Sequence, residues 1–214
     1  GVLQSLYLLF NEGYKASSGD SLVREDLCQE ARRLTTLLAE HPSGNQSKTH
    51  ALLALMLLNS ARTPTRVDSD GNMLLLKDQD RSRWNHDMIA RGMRHLAQSA
   101  TGQQLSEYHL QAGIAACHCA APDFESTDWC QIVSLYDRLR AIDDSPVVAL
   151  NRAVAVANVD GPKAGIEALR GIANSREMKS YYLYYSVAAE LESQSGNYKT
   201  SVEHLKKAIQ LTAL

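Results

Sequence analysis

Apolar residues recur every three or four positions along almost the whole chain, the spacing that places them on one face of an α-helix. Long alternations of apolar and polar residues, which are typical of strands, are nearly absent. The pattern therefore predicts an all-α protein built as a helical array. The predicted helices span residues 2–10, 20–41, 46–62, 79–100, 104–119, 128–141, 145–157, 163–173, 181–194 and 198–211.

Two stretches differ from the amphipathic majority. The helix over 46–62 is apolar almost all round between Ala51 and Leu58, and such a helix belongs at the centre of a core. Residues 66–76 carry an Asp-Gly turn between short apolar ends, which is the sequence signal of a hairpin. We therefore predict a single small β-hairpin inserted among the helices.

The last third of the chain is repetitive. Two predicted helix pairs follow Ser145. Each second helix has a small residue, then an apolar residue four positions later and an apolar or small residue seven positions later. Gly165 and Ser201 mark that small position, and their separation of 36 is close to the roughly 34-residue period of tetratricopeptide repeats. The pattern predicts a helical domain with the hairpin insertion over 1–143, and two tetratricopeptide-like helix pairs over 144–214 packed on it as one continuous unit.

Charge and composition narrow the functional classes. Lys and Arg total 22 against 24 Asp and Glu, a net charge of −2, so direct binding of nucleic acid by this chain is not expected. The longest apolar run is far shorter than the roughly 20 residues that cross a bilayer, so no membrane association is expected. Four cysteines without a dense framework favour free thiols in a reducing compartment, and a cytoplasmic location is predicted.

The densest polar cluster, residues 78–85, lies between the predicted hairpin and a helix. Its two carboxylates could share a proton or bind a hard cation. Acids at a helix N-terminus and ion pairs one turn apart give the simpler structural explanation, which we favour. The residues considered for a pocket or a structural network are Asn11, Glu12, Asp78, Asp80, Arg81 and Trp84.

Metal and catalytic motifs find little support. Cys117, His118 and Cys119 are ligand types that suit zinc, but two side chains two positions apart on a helix point about 200° away from each other. Neither a zinc-hydrolase motif, nor a phosphate loop, nor a nucleophile elbow, nor a dinucleotide fingerprint occurs. We therefore predict no catalytic residue, no metal, no cofactor and no enzymatic activity.

Two pairs of residues are candidates for partner binding. Asn151 and Arg152 interrupt an otherwise apolar helix, where buried polar groups must be paired, so they form either a core network or a recognition pair. Tyr182 and Tyr185 belong to a tyrosine-rich helix that could line a groove, because tyrosine combines apolar area with a hydroxyl group. Packing between repeats is the alternative for the tyrosines.

Several strings, in this order and spacing, resemble the C-terminal extension of a group of bacterial extracytoplasmic-function RNA polymerase sigma factors, of the sigma-70 family. The strings are residues 7–14 (YLLFNEGY), 55–58 (LMLL), 78–84 (DQDRSRW), 127–129 (TDW) and 145–155 (SPVVALNRAVA). The resemblance covers nearly the whole chain. It implies two sigma domains upstream of this tetratricopeptide-like extension, and both are missing from the sequence, which therefore looks like a fragment.

The resemblance implies a regulatory, protein-binding domain that modulates transcription initiation. Its partners would be the attached sigma domains and RNA polymerase, or a regulatory protein. A small-molecule sensing domain or vestigial enzyme with a polar pocket near the hairpin is the alternative from another class, and a structural spacer is a third. A convergent polar pocket would favour the sensor.

Overall fold

A computed structural model describes residues 1–14, 24–68, 72–102 and 104–212, and the regular secondary structure within these ranges is helical throughout. The prediction of an all-α protein is confirmed. The α-helices are, in chain order, α1 (Val2–Tyr14), α2 (Glu25–Glu40), α3 (Ser47–Ser60), α4 (His86–Ser99), α5 (Glu107–Ala120), α6 (Trp129–Arg140), α7 (Pro146–Asp160), α8 (Pro162–Arg170), α9 (Arg176–Lys179), α10 (Tyr182–Gln194) and α11 (Tyr198–Thr212).

The chain divides into two compact units, Gly1–Asp128 with α1 to α5 and Trp129–Leu214 with α6 to α11. The domain boundary predicted at 143/144 stays a prediction. Within the described ranges, no helix combines the length and the apolar character needed to cross a bilayer.

Helix α3 forms the centre of the first unit, as its sequence predicts. Every residue from Ala51 to Leu58 is at most 3% exposed, because α1, α2, α4 and α5 all pack against this helix. Phe10 of α1 and Tyr108 of α5 belong to the same apolar cluster as Met56. Each fully buried leucine of α3 contributes about 1.5–3 kcal/mol relative to an exposed one.

The β-hairpin predicted over residues 66–76 is wrong. Val67 and Met73 form a single isolated antiparallel bridge, and no strand occurs in the described ranges. The predicted turn at Asp70 lies outside the described residues. Leu76–Asp78 winds into a short 3-10 helix directly afterwards, so the bridge has no room to extend into a ladder. Met73 remains 44% exposed, and two short strands without a buried face have little to stabilise them.

Helix α4 begins seven residues later than predicted, at His86. The side chain of Asn85 accepts a hydrogen bond from the backbone N–H of Met88 and so caps α4. The preceding residues Arg81–Arg83 form a separate 3-10 turn. The four-residue helix α9 was not predicted, because one turn is too short to show a periodicity.

The two helix pairs of the second unit, α7–α8 and α10–α11, share one register. A Cβ atom added to Gly165 would lie 2.6 Å from the Cβ of Ala157 and 3.1 Å from the carbonyl oxygen of Ala153, so α7 and α8 cross closely at this glycine. In the next pair, the Ser201 hydroxyl donates to the carbonyl of Ala189 at 2.8 Å. Both the small residue and the carbonyl that it faces recur after 36 positions.

Candidate functional site

A buried polar network in the first unit surrounds Arg81, which is only 7% exposed. Its Nη1 donates to the carbonyl oxygens of His118 at 2.7 Å and Ala121 at 3.1 Å, and its Nη2 donates to the Thr127 hydroxyl at 3.0 Å. The two carbonyls belong to the C-terminal end of α5, where backbone acceptors lack helical partners and the helix dipole favours a cation. Arg81 therefore caps α5 from a turn 37 residues earlier in the chain.

Trp84 completes this network from the other side. Its indole Nε1 donates to the Thr65 hydroxyl at 2.9 Å, and the side chain is 3% exposed. The guanidinium groups of Arg62 and Arg81 lie 5.4 and 5.1 Å from the centre of its ring, within the range of cation–π attraction. Trp84 thus contacts both arginines and is hydrogen-bonded to the turn that follows α3.

A second buried arginine repeats the arrangement at the end of α1. The Arg66 guanidinium lies 3.7 Å from the ring centre of Tyr14 and donates to the Tyr14 carbonyl oxygen at 2.6 Å. Burial lowers the pKa of both Arg66 and Arg81, and the nearby cation of Arg62 lowers each further. The segment between α3 and α4 is therefore fastened to the C-terminal ends of α1 and α5 by arginines that serve as caps.

The two aspartates of the predicted cluster stay at the surface. Asp80 accepts hydrogen bonds from the hydroxyl and the backbone N–H of Ser82, at 2.6 and 3.0 Å. These bonds lower the pKa of its carboxyl, and the bond from the N–H caps the 3-10 turn. Asp78 is exposed. In the described part of the chain, no group of three or more His, Cys, Asp or Glu residues is placed to hold a metal ion.

The six residues considered for a pocket or network are therefore separated by the fold. Arg81 and Trp84 lie together in the buried network, whereas Asn11 is exposed and Glu12 half-buried on α1. The arrangement supplies capping and ring contacts that hold helix ends. The proposal of a sensing pocket at this place stays a prediction.

The Cys-His-Cys string lies in the last turn of α5. Burial, followed by the charges of Arg62 and Arg81, lowers the pKa of His118 to about 3, so the imidazole is neutral at physiological pH. Burial raises the pKa of Cys119 to about 11, and its thiol donates to the carbonyl of Leu58. A protonated, hydrogen-bonded thiol is a poor nucleophile and a poor metal ligand.

In the second unit, the structure gives Asn151 and Arg152 different surroundings on α7. Asn151 is exposed, whereas the Arg152 Nε donates to the Asp137 carboxylate of α6 at 2.5 Å. The side chain of Arg152 is 27% exposed and that of Asp137 52% exposed, so this ion pair is reached by solvent. The two candidates do not pair with each other.

The tyrosines of α10 divide between packing and surface. Tyr184 is 8% exposed and belongs to the apolar cluster of the second unit, and the ring of Tyr185 meets it edge-on with 5.1 Å between centres. The Tyr185 hydroxyl donates to the carbonyl of Lys179 at 3.3 Å. Tyr182 and Tyr185 are both half-buried. Partner binding by Tyr182 and Tyr185 therefore stays a prediction.

Two features of the first unit were not predicted from the sequence. A surface groove of about 340 Å³ lies between α2 and α4, with Leu57 of α3 among its lining residues. Arg32, Arg33 and Arg91 line it, and Arg32 is held by the Ser60 hydroxyl at 2.6 Å. None of the six predicted pocket residues contributes to this groove. Its arginines come from two helices about 60 residues apart, so no local motif marks it.

The second feature is a stacked histidine pair between α3 and α4. The Nδ1 atoms of His50 and His95 lie 3.0 Å apart, and the ring centres are 5.2 Å apart. The side-chain Oδ1 of Asn45 lies 2.9 Å from Nε2 of His50 and accepts a hydrogen bond from Nε2–H, the tautomer of neutral His50 that leaves Nδ1 as an acceptor for His95. Burial lowers the pKa of both histidines, and the charge of His50 lowers that of His95 further.

Comparisons with known proteins match the chain to a family model and to a relative that have no assigned activity. A family model described as a family of unknown function (DUF6596) matches residues 1–100. An uncharacterized protein of Rhizobium meliloti (strain 1021) is 38% identical over 196 residues, an alignment that covers 91% of this chain and 45% of the relative. The chain therefore spans about half the length of that relative. No solved structure matches the chain significantly.

Proposed function

We propose that this chain is a regulatory, protein-binding domain that modulates transcription initiation by an extracytoplasmic-function sigma factor to which it is attached. In this proposal the chain performs no chemistry of its own. Its partners are the sigma domains and RNA polymerase, or a regulatory protein, and the buried arginine network is structural.

The observation that carries the proposal is the shared register of the two helix pairs in the second unit. Gly165 and Ser201 are each the small residue at a helix crossing, and each faces a main-chain carbonyl 12 positions earlier. Stacked helix pairs with one small residue at the crossing are typical of tetratricopeptide-like repeats, whose successive units build an extended surface for proteins or peptides. We propose that α7–α8 and α10–α11 are two such repeats.

Two further facts support the sigma-factor context. The strings that resemble the extension of these sigma factors fall in both compact units, from α1 to α7. The Rhizobium meliloti relative is about twice as long as this chain, which leaves room for two additional domains in that protein. The proposal expects sigma domains in the part of the gene product that precedes Gly1.

The working surface is proposed on the first helices of the repeats, α7 and α10. Asn151 and Arg152 lie on α7, Tyr182 and Tyr185 on α10, and the two helices touch. Arginine and tyrosine supply much of the binding energy when a partner desolvates them. The ion pair between Arg152 and Asp137 would then hold the guanidinium in place for a partner carboxylate.

The experiment has two stages. Sequencing the native gene upstream of Gly1 should reveal two sigma domains, and their absence would overturn the sigma-factor assignment. The full-length protein is then tested by transcription from its own promoter with core polymerase. Replacing Asn151, Arg152, Tyr182 and Tyr185 together by Ala should abolish the regulation, while the melting temperature reports folding.

Matched controls separate recognition from packing. Asp137→Ala leaves the guanidinium of Arg152 but removes the carboxylate that holds it in place, so it should weaken regulation less than the quadruple variant does. Alanine at the exposed Asn158 and Arg170 changes the same residue types elsewhere in the unit and should have no effect. Normal regulation by the quadruple variant would rule out this surface.

A further inference from the structure

The outer side of the last helix carries an uninterrupted apolar stripe. Tyr198, Val202, Leu205 and Ile209 are 69%, 48%, 46% and 67% exposed. Their spacings of four, three and four residues place them within about 60° of one another around α11. In a repeat array, a face that no other helix covers is normally polar for solubility.

The preceding helix pair shows what packs against the residues that match this stripe. A shift of 36 residues relates Ile166, Leu169 and Ala173 to Val202, Leu205 and Ile209. In the first pair these positions pack in one apolar cluster with Tyr184, Ala188 and Leu191 of α10. Leu169 is only 3% exposed because α10 covers it, whereas Leu205 at the matching position is 46% exposed.

We propose that the stripe of Tyr198, Val202, Leu205 and Ile209 is the seat of an acidic, amphipathic helix from a partner protein. The partner helix would lie on α11 as α10 lies on α8, with its apolar side chains between those of the stripe. This surface is separate from the four residues tested for the proposed function, so each idea can fail without the other.

Charge selects the acidic helix over a second copy of this chain. Lys199 and Lys206 lie about 40–60° beyond the edge of the stripe, on the side away from the buried Ser201 and Ala208. Two α11 helices paired antiparallel through the stripe would bring these lysines of one copy opposite those of the other, and like charges at such positions oppose pairing. Carboxylates along one flank of a partner helix would instead complement them.

The chain itself supplies a probe. A fluorescent peptide that copies residues 181–195 contains α10, which covers the matching face of α8, and it carries Glu192 about 40° beyond its own apolar face. We expect anisotropy titrations to show saturable binding of this peptide to the full chain. Leu205→Glu should weaken binding at least about tenfold, because it places a charge at the centre of the apolar contact. Ile142→Glu, at another exposed apolar residue of the same unit, should leave the affinity unchanged.

Any of the following results would overturn the proposal. The first is absence of peptide binding to the wild-type chain, or equal binding to the Leu205→Glu variant when circular dichroism shows that the variant is folded. The second is undiminished binding of a peptide carrying Glu192→Lys, which reverses the charge beside the apolar face of the peptide. The third is a dimer in analytical ultracentrifugation that Leu205→Glu dissociates, because the occupant would then be a second copy.

Discussion

Replacing Arg81 tests whether capping by a buried cation holds the first unit together. Arg81→Ala removes three hydrogen bonds from a charged donor and leaves the carbonyls at the end of α5 without it. Bonds to charged groups contribute about 1.5–3 kcal/mol each, but the guanidinium costs several kcal/mol to desolvate. The net loss should be about 3 kcal/mol, which lowers the Tm of a chain of this size by about 6–12 °C.

The neighbouring Asp80 offers a matched comparison one residue away. It caps a 3-10 turn of three residues from an exposed position, so Asp80→Ala should lower the Tm by clearly less than Arg81→Ala. The Tm of Arg81→Lys should lie between those of Asp80→Ala and Arg81→Ala, because a single ammonium group cannot replace a guanidinium that reaches three acceptors. Thermal unfolding followed by circular dichroism and by tryptophan fluorescence measures all three. The reasoning fails if Arg81→Ala melts with the wild type, or no earlier than Asp80→Ala.

Two further predictions concern the histidine pair and the first helix crossing. The folded-state pKa of His50 and His95 is lowered by burial, so their contribution to stability is complete above the unfolded pKa of about 6.5 and is lost as the pH falls below it. The Tm should therefore drop between pH 7 and pH 5, less so in His95→Asn, and a flat profile would contradict this. Gly165→Ala should destabilise the second unit by about 1–3 kcal/mol through its close crossing. Gly171→Ala, with 3.5 Å to its nearest atom, should be tolerated in the same denaturant titration.

Local patterns in the sequence predicted the helices well, because each depends on residues within a few turns. The apolar run of α3 indicated a central helix, and the 36-residue recurrence indicated the two pairs of the second unit. The hairpin failed because an Asp-Gly turn signals only a reversal of the chain. Strands extend from such a turn only where one of their faces is buried, and Met73 is exposed.

The candidate site was harder to predict because its partners are main-chain atoms. Arg81 binds carbonyl oxygens 37 and 40 positions away, and a carbonyl leaves no mark in the sequence that distinguishes it from any other. The pair of His50 and His95 is likewise formed across 45 positions by the packing of α4 on α3. Residue types indicated which side chains needed partners, while the fold decided which partners they received.

Two matching leucines of α8 and α11 show where sequence and structure must be combined. Leu169 and Leu205 occupy the same place in the 36-residue pattern, and the pattern alone predicts the same burial for both. The structure covers the first with α10 and leaves the second open. A sequence pattern specifies which face of a helix is apolar, and the structure shows whether another helix covers that face. The face of α11 is apolar by the 36-residue pattern, and no described helix covers it, which is the reason to look for a partner helix there.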